Sequence, residues 1–207
     1  MNRQSRGCVV LRILGKTSSI NVRKVLWTCA EIGIPFTRAD EGPELAQNPN
    51  GLVPVIVDGD FVLWESNSII RYLANKWTAE ALLPREARAR AEVDRWIDWQ
   101  ATEFNSAWRY AFSAIVRRTP AFHDAREIEA SKKRWTRMVE ILDEQLARTG
   151  SHVAGAAFTL ADIPIGLSVN RWFMTPIERP SFPHVEAYYE RLSERAAFRE
   201  HGRNGIA

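Results

Sequence analysis

The sequence predicts an α/β unit followed by an all-helical one, and three observations carry that prediction. Residues 8–76 run in the order strand, helix, strand, loop, strand, strand, helix, with short apolar runs broken by glycine, proline and asparagine. From residue 85 onward the apolar positions recur every three or four residues and no strand-like run returns. Between the two, a polar break ends at Pro84. The expected division is therefore a first domain over 8–77, a linker over 78–85 and a helical domain over 86–207, the first of about the minimum size that carries its own core.

The elements follow in order. Residues 8–14 form a valine- and isoleucine-rich run bounded by Gly7 and Gly15, which reads as a buried strand. Residues 20–32 carry the broad apolar stripe of a helix, with Gly33 where a left-handed residue would end it. Residues 35–39 are a second strand, so the opening is a β-α-β unit with parallel strands. Residues 42–51 are loop with one helical turn near 44–47. Two apolar runs, 55–57 and 61–64, flank Asp58-Gly59-Asp60 and predict a hairpin. Ser66 is the expected N-cap of the next helix, on which Ile69, Ile70 and Leu73 share a face. In the second half, one long helix is predicted from 85 to near 119 and another over 124–148, ended by Gly150. Thr159-Leu-Ala-Asp162 reads as a capping box with Asp in the place of Glu or Gln, and Asp162 is assigned to structure. The helix it opens runs to about 173, is apolar nearly all round and so belongs at the centre of a bundle; Pro164 is expected to cost it one early hydrogen bond. Residues 184–195 and 196–201 complete the helices.

Composition excludes several classes. A hydrophobic content of 45%, with eight Trp and nine Phe, supplies a core and argues against disorder. The net charge of +3 arises from 28 basic and 25 acidic residues, interspersed without a long run of one sign, and does not call for nucleic acid. Cys8 and Cys29 form neither a metal-ligand cluster nor a C-x-x-C pair, so no metal is expected and both read as buried thiols. The first apolar run is broken at Arg12, too short for a signal peptide or a membrane span, and a soluble cytoplasmic protein is the expectation.

Four motifs in order, Ser19-Ile-Asn-Val-Arg-Lys24, Asn48-Pro-Asn-Gly-Leu-Val-Pro-Val55, Trp64-Glu-Ser66 and Thr159-Leu-Ala-Asp162, resemble the soluble glutathione S-transferase family over nearly the whole chain, in the manner of its bacterial serine/threonine-type members. The resemblance implies a thioredoxin-like first domain that binds glutathione as co-substrate. It also implies a helical second domain lining the site of a small hydrophobic electrophile, and a homodimer. It makes the Val53-Pro54 bond cis, with the Val53 backbone pairing to the bound tripeptide as an added strand does. It sets Ser66 and Glu65 against the γ-glutamyl group, at a helix start that favours a carboxylate.

Ser19, with Asn21 two residues on, then faces the glutathione sulfur, and Ser18 stands near enough to take that role instead. A free thiol ionises near pH 8.5, and lowering this by about two units takes roughly 2.7 kcal/mol. One hydroxyl donor to a charged acceptor supplies roughly 1.5–3 kcal/mol and the helix dipole about 0.3–1 more, so a lone serine suffices. No cysteine stands at this helix start, so any disulfide chemistry would have to run on glutathione itself.

In place of a basic or amide residue for the glycine end of glutathione the sequence has Leu52, which leaves Asn50 or Gln47 to hold that end. Phe104, Trp108, Arg109 and Phe112 stand at helical spacing as either the electrophile pocket or core. The alternatives on the same fold are a glutathione-dependent disulfide reductase or isomerase, and a non-catalytic ligand-binding or assembly module.

Overall fold

The computed structural model describes residues 10–207, which fall into two compact units, one ending at Thr78 and one running from Ala79 to Ala207. The first is built on a four-stranded sheet in the order β2-β1-β3-β4. Strand β1, Leu11–Leu14, pairs in parallel with β2, Phe36–Ala39, and antiparallel with β3, Val55–Asp58, setting Ile13 opposite Ile56. Strand β4, Phe61–Trp64, closes an antiparallel hairpin on β3 through Gly59, at φ +67°. Helix α1, Ile20–Ile32, is the crossover between β1 and β2 and ends on Gly33 in the left-handed conformation. A 3₁₀ turn, Pro43–Gln47, precedes β3, and helix α2, Ser66–Lys76, follows β4. The core of this unit is Leu11, Ile13, Leu14, Val25, Val55, Ile56, Ile69, Ile70 and Leu73, all within 2% of full burial. The mixed sheet with its helices is the expected α/β class.

Two element starts in this unit differ from expectation by more than the usual end effects. The first strand begins at Leu11, with Val10 exposed, and the earlier part of the expected run, Cys8 and Val9, lies outside the described residues. The N-cap of α2 is Glu65 rather than Ser66: the Glu65 carboxylate accepts the Asn67 amide at 3.1 Å and Ser66 is already helical. The reason is the backbone of Glu65, which at φ +75° makes the whole strand-to-helix turn in one residue and so takes the cap position itself.

The regular elements of the second unit are all helical. The expected single helix is a continuous rod made of α3, Ala87–Trp99, a π-helical turn, Gln100–Phe104, and α4, Asn105–Ile115. The wide turn accompanies an inward amide: buried Gln100 donates to Ser168 Oγ at 2.8 Å and to Asn105 Oδ1 at 2.9 Å. No proline or glycine marks that turn in the sequence. Helix α5, Ala125–Thr149, starts on Asp124, whose side chain accepts the Arg126 amide, and ends on Gly150. Helix α6, Asp162–Met174, is buried from Asp162 to Trp172, as an all-round apolar helix must be. Helices α7, Pro183–Ser193, and α8, Ala196–His201, finish the unit. Pro164 costs α6 no bond, because it stands in the first turn, where amides have no partner within the helix.

Asp162 does more than cap. Its Oδ2 accepts the Thr159 amide at 2.7 Å and the Thr159 hydroxyl at 3.1 Å, while Oδ1 accepts the Val153 amide at 3.0 Å and the Tyr188 hydroxyl at 2.9 Å. One wholly buried carboxylate thus joins a loop, the start of α6 and the middle of α7. Burial pushes its pKa above the usual carboxylate value, and the Val153 and Thr159 amides pull against that rise. Removing this carboxylate strands three buried donors and leaves the Tyr188 hydroxyl only the Asp162 carbonyl, at 3.4 Å. Asp162→Ala is expected to cost about 3 kcal/mol or more in urea denaturation, and Tyr188→Phe, which strands none, about 1 kcal/mol.

Candidate active site

In the first unit, three short segments are brought together by contacts within that unit. Gly15 ends β1 at φ +133°, and a Cβ built on it would stand 2.6 Å from Val22 Cγ2 and 2.8 Å from Val53 Cβ. Only a glycine lets the loop after β1, the first turn of α1 and the Val53 backbone approach this closely. The third segment is the start of α2, tied to α1 by a buried bond from Lys24 Nζ to Asn67 Oδ1 at 3.1 Å. Asn67 follows Ser66 directly, so the bond fixes the end of α2 at which the γ-glutamyl group is expected.

Ser19 stands at the cap position of α1 with extended backbone, φ −78° and ψ 122°, and its side chain makes no cap bond. Its amide donates to the Lys16 carbonyl and its carbonyl accepts the Arg23 amide, both at 3.0 Å, so the backbone is held while the hydroxyl is bonded to no described residue. Asn21, half-buried in the first turn of α1, stands beside it, whereas Ser18 and Thr17 are exposed. Unpaired amides and the positive end of the dipole favour negative charge at this end of the helix.

The Val53–Pro54 bond is cis. Neither the amide nor the carbonyl of Val53 is bonded to a described residue, which leaves a donor and an acceptor for an extended chain. The approach to it is set by buried Asn48, whose Nδ2 donates to the Leu52 carbonyl at 2.7 Å and whose Oδ1 accepts the Asn50 amide at 3.0 Å and Asn50 Nδ2 at 3.2 Å. Asn50 is exposed, and Leu52 is 65% exposed. Glu65 is exposed and holds its unusual φ, a conformation costing about 1–3 kcal/mol in a residue with a side chain. Ser66 is buried, and its hydroxyl is bonded to no described residue.

The structure thus joins Ser19, Asn21, Val53, Pro54, Glu65 and Ser66 through two links that sequence reading passed over, Gly15 and Lys24–Asn67, and through Asn48, seen only as part of a motif. A glycine directly after a buried strand was the available signal for Gly15. A lysine in an apolar helical stripe was the signal for Lys24.

The candidate pocket residues of the helical unit have a different setting. Phe104, Trp108 and Phe112 are buried, and Arg109 is exposed. Phe104 packs on Trp99 with centroids 5.2 Å apart, and Trp108 packs on Phe112 at 5.4 Å and Trp135 at 6.3 Å. The buried Arg171 guanidinium lies 4.0 Å from the Phe112 ring centre and 4.4 Å from that of Trp108. Of the two readings left open, these contacts favour core for the three aromatics. Arg171, three positions from the end of an apolar helix, carried no sequence signal.

Comparison with known proteins agrees over both units. Residues 18–76 match the family model described as glutathione S-transferase, N-terminal domain, and residues 104–196 that described as glutathione S-transferase, C-terminal domain. Glutathione S-transferase GstB of Escherichia coli K12 is 33% identical over 202 residues, covering 92% of this chain and 97% of its own length. Glutathione S-transferase 3 of Zea mays is 33% identical over 207 residues, covering 92% of each. The crystal structure of a theta class glutathione S-transferase from Xanthomonas axonopodis pv. citri, with glutathione bound, superimposes with a TM-score of 0.87 at 37% identity, over 96% of this chain and 99% of that one.

A side chain at Gly15 is expected to push these segments apart. Gly15→Ala should lower stability by about 2–3 kcal/mol in urea denaturation and weaken glutathione binding in calorimetry by at least about ten-fold. Binding unchanged in a folded Gly15→Ala protein would show that the close approach does not shape the site.

Proposed function

The chain belongs to the glutathione S-transferase family, and from that premise we propose how its residues carry the reaction. It is a glutathione transferase with glutathione as co-substrate. The observation that carries the assignment of roles is the Ser19 hydroxyl, bonded to no described residue at the positive end of α1 while its backbone is held on both sides.

In our reading the γ-glutamyl carboxylate takes the Ser66 hydroxyl and the start of α2, with Glu65 meeting the ammonium. The tripeptide backbone pairs with Val53 beside Pro54, and Asn50 meets the glycine end, where Leu52 offers no polar group. Ser19 donates its hydroxyl to the sulfur and Asn21 its amide, as in the serine-type members of the family. Two donors of this strength lower the thiol pKa by about two units, which is enough to make thiolate the main form near neutrality. The thiol proton passes to water, and the thiolate attacks an electrophilic carbon of a small apolar second substrate. A C–S bond forms as a halide leaves or an epoxide opens. Ser19 neither takes a proton nor forms a bond; it is needed only as a donor.

We also propose a cytoplasmic homodimer. Among the described residues no helix is long and apolar enough to cross a membrane. Strand β4 is a sheet edge bearing Phe61 and Trp64, 44% and 37% exposed, and a partner subunit would cover such rings.

Ser19→Ala is expected to lower turnover on an aryl halide about ten-fold or more while glutathione affinity stays within about three-fold, the loss of one charge-assisted bond. Ser66→Ala should instead weaken glutathione binding in calorimetry by at least about ten-fold, since it removes a hydroxyl donor to a charged carboxylate. Full turnover in Ser19→Ala with collapse in Asn21→Ala would move the thiol role to Asn21. In sedimentation the wild type is expected as a dimer, and Phe61→Glu with Trp64→Glu should shift it to monomer; a wild-type monomer sinks the assembly proposal.

A further inference from the structure

Beside α7 lies a cavity of about 660 Å³, walled entirely by the helical unit, and none of its lining residues is assigned to glutathione. That volume is in the range of small-molecule sites. Phe173 and Tyr189 form a ring pair on its wall, with centroids 4.7 Å apart, and Met174, 40% exposed, adds a polarisable edge. Tyr189 is locked from behind by its hydroxyl, which donates to Asn170 Oδ1 at 2.9 Å. The ring wall is therefore rigid before any ligand arrives.

The charges on the lining select the ligand. Glu186, Glu190 and Arg203 are the charged residues present, two acids and one base, so the lining carries a net −1. Arg203 is held by Glu190, with Nη1 at 3.0 and 2.8 Å from its two carboxylate oxygens, and lies 4.7 Å from the Tyr189 ring centre. That pair cancels. The first amides of α7, which could have held an anion, are also in use: those of His184 and Val185 donate to Asp143 Oδ1 at 2.8 and 2.9 Å, and that of Phe182 to Glu186 Oε1 at 3.3 Å. Ser181 Oγ donates to the same Glu186 oxygen at 2.8 Å. Glu186 Oε2 is bonded to no described residue, and it is the uncommitted charge at the cavity.

We propose that this cavity binds small aromatic cations, the ring lying on the Phe173, Met174 and Tyr189 wall and the ammonium meeting Glu186. The aromatic wall complements the ligand's ring, and the open Glu186 oxygen complements an ammonium and repels an anion. The site belongs to the helical unit's own surface and does not depend on the roles proposed for the glutathione residues.

Three probes of one shape test this: 1-naphthylmethyl-trimethylammonium, its uncharged carbon isostere and 1-naphthaleneacetate, titrated into the full chain by fluorescence. The cation is expected to bind at least about ten-fold more tightly than the anion, with the neutral isostere between them. Ala187→Trp, which fills the mouth from an exposed position of α7, should weaken the cation at least about ten-fold while thermal midpoint and glutathione conjugation stay at wild-type values. Glu186→Gln, which keeps the oxygen that caps α7, should weaken the cation by about three- to five-fold and leave the neutral isostere unchanged. The proposal is overturned if the cation fails to bind at millimolar concentration, if all three probes bind alike, or if Ala187→Trp binds the cation as well as wild type.

Discussion

The glutathione site proposed for this transferase rests on the close approach of chain segments at Gly15. A Cβ there would overlap both Val22 and Val53, so the end of β1, the start of α1 and the residue before Pro54 share a space that admits no side chain. Ser19 and Asn21 are carried on one of these segments and the Val53 backbone on another. Their relative placement is therefore set by van der Waals contact, which is far stiffer than a loop hydrogen bond. The Lys24–Asn67 bond extends the arrangement to α2 and to Ser66. In the proposed assignment, rigid placement of this kind is what lets a weak donor such as the Ser19 hydroxyl act on a thiol without catalytic base chemistry.

The two helix starts in that unit are used differently. At α2 the cap is supplied by Glu65, at the cost of a left-handed backbone, and this releases Ser66 from the cap position its sequence suggested. At α1 the cap position is occupied by Ser19, yet its hydroxyl caps nothing. Both starts thus present a hydroxyl and free amides at a positive dipole end, one for a carboxylate and one for a thiolate, in our assignment.

In the helical unit the equivalent organising group is a carboxylate. From the start of α6, Asp162 gathers four donors, three from the loop before it and one from α7, and its burial is tolerated because every one of those bonds is made. Around the same central helix, Arg171 is buried against the faces of Trp108 and Phe112, and Gln100 reaches Ser168 from the π-helical turn. The cavity beside α7 lies at the outer edge of this packing, where Phe173 and Tyr189 are the last rings of the core and Glu186 and Glu190 face water.

The sequence by itself determined the α/β class of the first unit, the helical class of the second, and the bounds of α1, down to its glycine stop. These follow from apolar period and from Gly33, Gly59 and Gly150, whose effects act over a few residues. It also pointed, through motif order, to the residues from which the site is proposed. Only the tertiary structure decided that Glu65 rather than Ser66 caps α2, that a π turn interrupts the long helix, and that Phe104, Trp108 and Phe112 are buried among Trp99, Trp135 and Arg171. Only there, too, did Gly15, Lys24, Asn67 and Arg171 acquire their partners. Apart from the Glu65 cap, which is local, these outcomes depend on groups distant in sequence: Gly15 on Val53, Lys24 on Asn67, Gln100 on Ser168, Asp162 on Tyr188. Local propensity cannot carry such information, because the steric overlap or the buried hydrogen bond that decides it exists only once the chain has folded.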